Sequence, residues 1–137
     1  MKFIVCLKYS LVLLLFTVMG CDEVSNSQTF TIGKESSFRI NQLYTSTDGQ
    51  NTLQITEIND SRCPDGAECF WAGEVSLKGE WVGSGTKVPV ELYSLTVGQQ
   101  KVPDGFTIQI VDAKPFPKNG VITKPEDFVI TLLVQRK

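Results

Sequence analysis

Residues 74–81, Glu-Val-Ser-Leu-Lys-Gly-Glu-Trp, alternate apolar or small residues with polar ones throughout. Val75, Leu77, Gly79 and Trp81 occupy every second position, and the positions between them are charged or carry a hydroxyl group. Successive side chains of a β-strand point to opposite faces of its sheet, so a period of two predicts a strand with one apolar face. Helical periodicity is hard to find elsewhere in the chain, which favours an all-β protein.

The same alternation recurs on both sides of this stretch. It is present at Val88, Val90 and Leu92 and again in residues 106–110, whereas residues 128–134 are apolar on both faces except at Thr131. A strand of the latter kind is typical of a central position or of one between two layers. We predict strands at residues 28–33, 36–44, 51–59, 73–82, 86–95, 105–114 and 126–136.

Turn-forming sequences separate several of these segments. They are Asp48-Gly49, Gly83-Ser84-Gly85, Asp104-Gly105 and Asn119-Gly120. Short strands punctuated by turns at this density predict a single antiparallel β-sandwich, or a small barrel, of about seven strands. No internal repeat and no second domain are visible.

The first 20 residues have the layout of a signal peptide. Lys2 and Lys8 precede an apolar run at residues 11–16, which is much shorter than the roughly 20 apolar residues that span a membrane. The segment that ends it, Val18-Met19-Gly20-Cys21, resembles the lipobox of bacterial lipoproteins. The resemblance implies removal of residues 1–20 and a diacylglycerol on Cys21. An ordinary signal peptide beside an incidental cysteine is the alternative.

Cleavage would remove 20 of the 137 residues and leave 117, which fits one domain. Residues 21–28 would then be the lipidated cysteine and a polar tether, and residues 29–137 the β-sandwich domain. Without Lys2 and Lys8, 11 basic residues face 15 acidic ones, a net charge of −4. No basic stripe is present, so we do not expect nucleic acid as a partner.

The expected location is the bacterial cell envelope, with the protein held to a membrane by lipid on Cys21. The acidic residues after Cys21 resemble surface-export signals of some Bacteroidota lipoproteins, yet Asp22 also resembles an inner-membrane retention signal of enterobacteria. Inner membrane, outer membrane and cell surface therefore stay open.

Cysteine usage points to one disulfide. Cys6 would leave with the signal peptide and Cys21 would carry lipid, so Cys63 and Cys69 remain for each other in an oxidising compartment. A structural zinc site requires four Cys or His ligands, and the chain has no histidine. A thioredoxin-like site has two residues between its cysteines, and here there are five.

The cysteine pair lies in the most distinctive stretch, Asp60-Ser61-Arg62-Cys63-Pro64 followed by Cys69-Phe70-Trp71-Ala72-Gly73-Glu74. This pattern resembles a motif of small uncharacterised bacterial β-rich envelope proteins, many of them lipoproteins. Residues 114–117, Lys-Pro-Phe-Pro, resemble a second and weaker mark of the same group. The resemblance implies a compartment and a fold, and it implies no activity and no cofactor.

Two interpretations of this stretch compete. In the structural one, the disulfide and Pro64 stiffen a crossover, Trp71 packs against the core, and Arg62 pairs with Asp60 or Glu74. In the functional one, a rigid loop presents a binding surface, since aromatic residues and arginine are enriched at binding hot spots. The candidate binding residues are Asp60, Arg62, Glu68, Phe70, Trp71 and Glu74.

The absence of histidine removes the Ser-His-Asp triad, the Cys-His pair and histidine-ligated metals from consideration. We predict no catalytic residue, no cofactor and no metal. Paired carboxylates among Asp60, Asp65, Glu68 and Glu74 could hydrolyse glycosides, which is a weak alternative. Asp60, Asp65 and Glu68 could also supply oxygen ligands to calcium, although no EF-hand spacing is present.

The leading functional hypothesis is a non-enzymatic binding module, of the inhibitor or immunity kind, for an envelope protein or another envelope component. A structural or assembly accessory of an envelope complex is the alternative from a different class, and the carboxylate hydrolase is the weakest of the three.

Overall fold

A computed structural model describes residues 28–137, which form two β-sheets around one hydrophobic core. The predicted all-β sandwich is confirmed, with eight strands. They are β1 (Gln28–Phe30), β2 (Glu35–Phe38), β3 (Leu43–Ser46), β4 (Asn51–Asp60), β5 (Val75–Gly83), β6 (Thr86–Tyr93), β7 (Phe106–Lys114) and β8 (Val129–Arg136). In this part of the chain, no helix combines the length and the apolar character needed to cross a membrane.

The first sheet has the strand order β1-β3-β4-β5-β6, and the second has the order β2-β8-β7. All neighbouring strands pair antiparallel except β1 and β3, which run parallel at the edge of the first sheet. β8 lies at the centre of its sheet, with Ile130, Leu132 and Val134 buried in the core. Its position agrees with its apolar pattern on both faces.

The predicted strand at residues 36–44 is wrong as a single element. The structure divides it into β2 and β3, which belong to different sheets. Between them the backbone of Asn41 has a φ of 60°, and its N–H donates to the Ile55 carbonyl at 2.8 Å. The chain turns here because Phe38 and Tyr44 both enter the core, where their ring centroids are 4.6 Å apart. Two smaller differences are that β1 already ends at Phe30 and that β8 begins only at Val129.

Aromatic contacts join the two sheets. Trp81 of the first sheet lies 4.8 Å from Phe106 of the second, measured between ring centroids, and Phe30 lies 5.6 Å from Phe38 in the same way. Such pairs contribute about 1 kcal/mol beyond the burial of their surface. Trp81 is 2% exposed, so the apolar face of residues 74–81 is a core face.

The strand register defines two ends of the sandwich. The polar end comprises the turns at residues 47–50, 84–85 and 103–105, where Arg136 also donates to Asp48 at 2.9 Å. Ser84 and Gly85 both have positive φ, the conformation of a two-residue hairpin turn of type I′. The other end lies beyond Asp60, ten residues along β4 and therefore about 30 Å away.

Candidate functional site

The cysteine loop, residues 61–74, continues the hairpin of β4 and β5 beyond the sheet. The Ser61 N–H donates to the Glu74 carbonyl at 2.9 Å, and the Cys63 N–H donates to the Ala72 carbonyl at 2.8 Å. Gly73 has a φ of 66°, and a Cβ at this position would lie 1.7 Å from the Ser61 carbonyl oxygen. Only glycine fits there, so Gly73 sets the close approach of the two strands of the loop.

The predicted disulfide between Cys63 and Cys69 is confirmed, and it joins Cα atoms 5.9 Å apart. Cys63 is half-buried in the segment of the loop that follows β4, whereas Cys69 is exposed near the tip of the loop. The bond therefore holds the tip against the base of the loop.

Arg62 fixes the base of the loop to the second sheet. Its Nε and Nη2 atoms donate to the two carboxylate oxygens of Asp60 at 2.8 and 2.7 Å, while Nη1 and Nη2 donate to the carbonyls of Ala113 and Pro115 at 2.9 and 3.0 Å. The guanidinium carbon lies 4.7 Å from the ring centroid of Phe116. The side chains of Arg62 and Asp60 are only 15% and 7% exposed, so this ion pair is largely buried.

The predicted pairing of Arg62 with Asp60 is thus confirmed. The cysteine stretch and the Lys-Pro-Phe-Pro segment at residues 114–117, which are some 50 residues apart in the sequence, therefore contact each other through Arg62. Backbone bonds add to the contact, because the Asp65 N–H donates to the Pro117 carbonyl at 2.9 Å and the Asn119 N–H donates to the Asp65 carbonyl at 3.1 Å. The connection between β7 and β8, residues 115–128, is therefore docked on the cysteine loop.

Glu74 is not a partner of Arg62 and instead fixes a third segment, residues 94–99. Its Oε2 accepts bonds from the N–H groups of Leu95 and Thr96, both at 3.1 Å, and its Oε1 accepts the Thr96 hydroxyl at 3.0 Å. The hydrogen bond from the Thr96 N–H, and to a smaller extent the one from the Leu95 N–H, holds the pKa of the Glu74 carboxyl below its ordinary value. The carboxylate acts as an anchor for the start of the connection between β6 and β7.

The prediction that Trp71 packs against the core is wrong. Its side chain is 79% exposed and that of Phe70 is fully exposed, with 6.4 Å between the ring centroids. The ladder of the loop ends at the Cys63–Ala72 bond, and both rings belong to the tip that follows it. Glu68 is exposed on the same tip.

Three connections thus form one surface, which we name the apolar end: residues 61–74, 94–99 and 115–128. Among residues 28–137, nine large apolar side chains are exposed, and seven of them lie here. The seven are Phe70, Trp71, Leu95, Val97, Phe116, Val121 and Ile122. The other two, Leu43 and Val111, lie on strands. Large exposed apolar patches on soluble domains mark interaction sites.

Sequence reasoning found only Phe70 and Trp71 among these seven. Val121 and Ile122 follow the turn at Asn119-Gly120, so an apolar pair inside a turn-rich connection was an available signal. The contact of Leu95 with this surface depends on Glu74 and had no signal of its own in the sequence.

Several hollows indent the apolar end, and two of them lie between segments that are far apart in the sequence. One of about 310 Å³ is framed by Trp71 on one side and by Leu95 and Thr96 on the other. A second of about 290 Å³ lies between the end of β4 and the 115–128 connection, beside Val121 and Phe128. Neither hollow is bordered by paired carboxylates that are free of other partners.

The geometry does not favour the carboxylate alternatives. Both Asp60 oxygens accept bonds from Arg62, and Glu74 has a lowered pKa, the opposite of what a general acid requires. The structure, as far as it describes the chain, contains no group of three or more Cys, His, Asp or Glu residues able to hold a metal ion.

Cys21 and the predicted signal peptide lie outside the described residues. Comparison of the chain with protein-family models, with curated proteins and with solved structures finds no match.

Proposed function

We propose that this protein is a membrane-anchored bacterial lipoprotein of the cell envelope that works as a non-enzymatic binding module, with the apolar end as its binding surface. One observation carries the proposal: Phe70 and Trp71 are exposed at the tip of a loop whose base is tightly held. The lipobox-like segment ending at Cys21 supports the anchored location.

The way the loop is held matters for binding. Ordering flexible side chains and loops on association costs free energy, and a surface that is already ordered avoids part of that cost. The disulfide, the buried Arg62–Asp60 pair and the backbone bonds from Asp65 and Asn119 order the loop in the free protein. Aromatic residues on such a support are the usual hot spots of interfaces.

A binding assay with envelope material tests the proposal. Residues 22–137, which carry no lipid, would be added to envelopes from a deletion strain either with the wild-type surface or with Phe70→Ala and Trp71→Ala, and the bound fraction measured by sedimentation. We expect binding at least about 30-fold weaker in the double variant, because a single hot-spot truncation already costs about 2 kcal/mol or more.

The matched control is Leu43→Ala, Val111→Ala, which removes two exposed apolar side chains from strands outside the apolar end. Its binding should equal that of the wild type. Equal binding by all three proteins would contradict the assignment of the surface, and mass spectrometry showing an unmodified Cys21 would contradict the anchored location.

A further inference from the structure

The hollow between the cysteine loop and residues 94–99 has an acidic wall as well as an apolar one. Trp71 and Leu95, which are 79% and 66% exposed, line it from two different segments, and Glu74 lines it between them. Its volume of about 310 Å³ is at the lower limit of small-ligand pockets, which measure roughly 300–1,000 Å³. The hollow therefore suits a single side chain better than a large ligand.

The Glu74 carboxylate can accept one more hydrogen bond. A carboxylate offers about four acceptor positions. Two are used on Oε2, by the N–H groups of Leu95 and Thr96, and one is used on Oε1, by the Thr96 hydroxyl. One position on Oε1 is therefore left for a donor from outside the protein.

The negative charge of Glu74 has no basic partner among the residues that the structure describes. Its lowered pKa keeps the carboxyl ionised at neutral pH, and it belongs to none of the six ion pairs. The two segments that form the hollow contain Asp65, Glu68 and Glu74 and no lysine. Their one basic residue, Arg62, is held by Asp60. The charge around the hollow therefore attracts a cation.

These walls match a cation that has an apolar stem. The face of an aromatic ring attracts cations, and the remaining position on Oε1 accepts a bond from a charged N–H donor. Lysine and arginine side chains combine such a donor with a carbon stem that packs on apolar surface. A metal ion matches less well, because it needs several oxygen ligands, and the described residues include no group of three or more Cys, His, Asp or Glu residues that could hold one.

We propose that this hollow receives a lysine or arginine side chain of the protein that the apolar end binds, with its charged head at Glu74 and its stem between Trp71 and Leu95. The proposal rests on the proposed binding function and names the chemistry of the partner. The aromatic tip then supplies apolar contact area, and Glu74 supplies selectivity for a basic residue.

A titration with short peptides tests the proposal. Capped tripeptides with a central lysine, arginine or norleucine between two glycines would be added to ¹⁵N-labelled residues 22–137, and the indole N–H resonances followed by NMR. The resonance of Trp71 should shift with the lysine or the arginine peptide, with a dissociation constant in the millimolar range. That of Trp81, which is 2% exposed, should not shift. Norleucine has an apolar stem without the charge, so its peptide should bind at least about tenfold more weakly.

The variants Glu74→Gln and Thr96→Val separate cation binding from the anchoring of residues 94–99. Glu74→Gln removes the charge, whereas Thr96→Val removes the hydroxyl bond to Oε1 and keeps the charge. Both changes weaken the anchor. Affinity for the basic peptides should fall about tenfold in Glu74→Gln and stay at least equal to that of the wild type in Thr96→Val, because Oε1 then has a second position for the ligand.

The proposal would be overturned by a Trp71 resonance that shifts with neither basic peptide, or that shifts equally with the norleucine peptide. An equal loss of affinity in Glu74→Gln and Thr96→Val would also overturn it, since Glu74 would then act only as an anchor. In each of these cases, weaker envelope binding by the Phe70→Ala, Trp71→Ala variant would still support the proposed binding module.

Discussion

The polar end and the apolar end of the sandwich are built on different principles. The polar end has short turns whose conformations are local, with Ser84 and Gly85 in a two-residue hairpin turn and one exposed ion pair, Asp48–Arg136. The apolar end has long connections that are ordered by contacts with one another, above all through Arg62 and Glu74. A long loop with exposed aromatic side chains can therefore be as constrained as a tight turn.

The largest expected difference in the free energy of unfolding is between alanine substitutions of the two tryptophans. Trp81→Ala should lower the free energy of unfolding by about 4 kcal/mol, because it removes the contacts of the ring with Phe30 and Phe106 and leaves a cavity. Trp71→Ala should change it by less than about 0.5 kcal/mol, as expected for an exposed side chain. Urea unfolding followed by circular dichroism measures both. A loss above about 1 kcal/mol for Trp71→Ala would contradict the exposed position of its ring.

Removing the arginine from each of the two arginine–aspartate pairs should give a somewhat smaller difference in the free energy of unfolding than the two tryptophan substitutions do. Arg62→Ala should cost about 3 kcal/mol, because it leaves the largely buried Asp60 carboxylate and two carbonyls without their donor. Arg136→Ala at the polar end should cost less than about 1 kcal/mol, because that pair is exposed.

Arg62→Lys is the informative companion, measured in the same urea titration. Lysine keeps the charge and lacks the planar fork, so it should recover only part of the lost stability. Similar costs for Arg62→Ala and Arg136→Ala would refute the anchoring role assigned to Arg62.

Removal of the disulfide should lower the free energy of unfolding by a smaller amount and should loosen the folded state only at the apolar end. A Cys63→Ser, Cys69→Ser variant should lose about 2 kcal/mol by the chain-entropy estimate for so short a loop. Hydrogen exchange should become faster at the backbone amides of positions 63 and 65, while the amide of Gly49 at the polar end keeps its wild-type rate. Equal acceleration at both ends would indicate global rather than local loosening.

Acid is expected to have the smallest effect on stability, and it should act through one carboxyl group at each end of the sandwich. The Ser46 hydroxyl, then the Gln50 N–H, hold the pKa of Asp48 below its ordinary value of 3.8, and the Thr96 N–H holds that of Glu74 below 4.5. A carboxyl with a lowered pKa stabilises the folded state above its ordinary pKa, and this stabilisation is lost as the pH falls through the lowered value.

The stability contributed by these two carboxyl groups should therefore be constant above about pH 5 and decline below about pH 4. Asp48→Asn and Glu74→Gln should each make that decline shallower, which unfolding titrations at several pH values would detect. A variant whose decline is as steep as that of the wild type would contradict the assignment of that carboxyl.

The fold was predictable to a large extent, because its signals are local. The period of two around Trp81 identified β5 and its buried face, and the turn sequences at Asp48-Gly49 and Gly83-Ser84-Gly85 identified the ends of strands. The division of residues 36–44 was not predictable in this way. Phe38, Ile40 and Tyr44 keep the same parity across that segment. Only the pairing of β2 with β8 and of β3 with β4 requires the turn at Asn41.

The candidate site was predictable in composition and not in geometry. The sequence singled out Arg62, Phe70 and Trp71 as one distinctive stretch, yet their opposite environments follow from what lies next to each of them. Arg62 is covered by the 115–128 connection, whereas Phe70 and Trp71 project beyond the last rung of their own loop.

The sequence by itself determined the strand period, the turns and the pairing of Cys63 with Cys69, because each depends on residues that are close along the chain or on simple counting. Only the tertiary structure decided which carbonyls satisfy Arg62, which amides satisfy Glu74 and that seven apolar side chains share one end. The physical reason is that these features arise where connections between different strands meet. Their meeting is set by the order in which the strands pair, and local alternation does not encode that order.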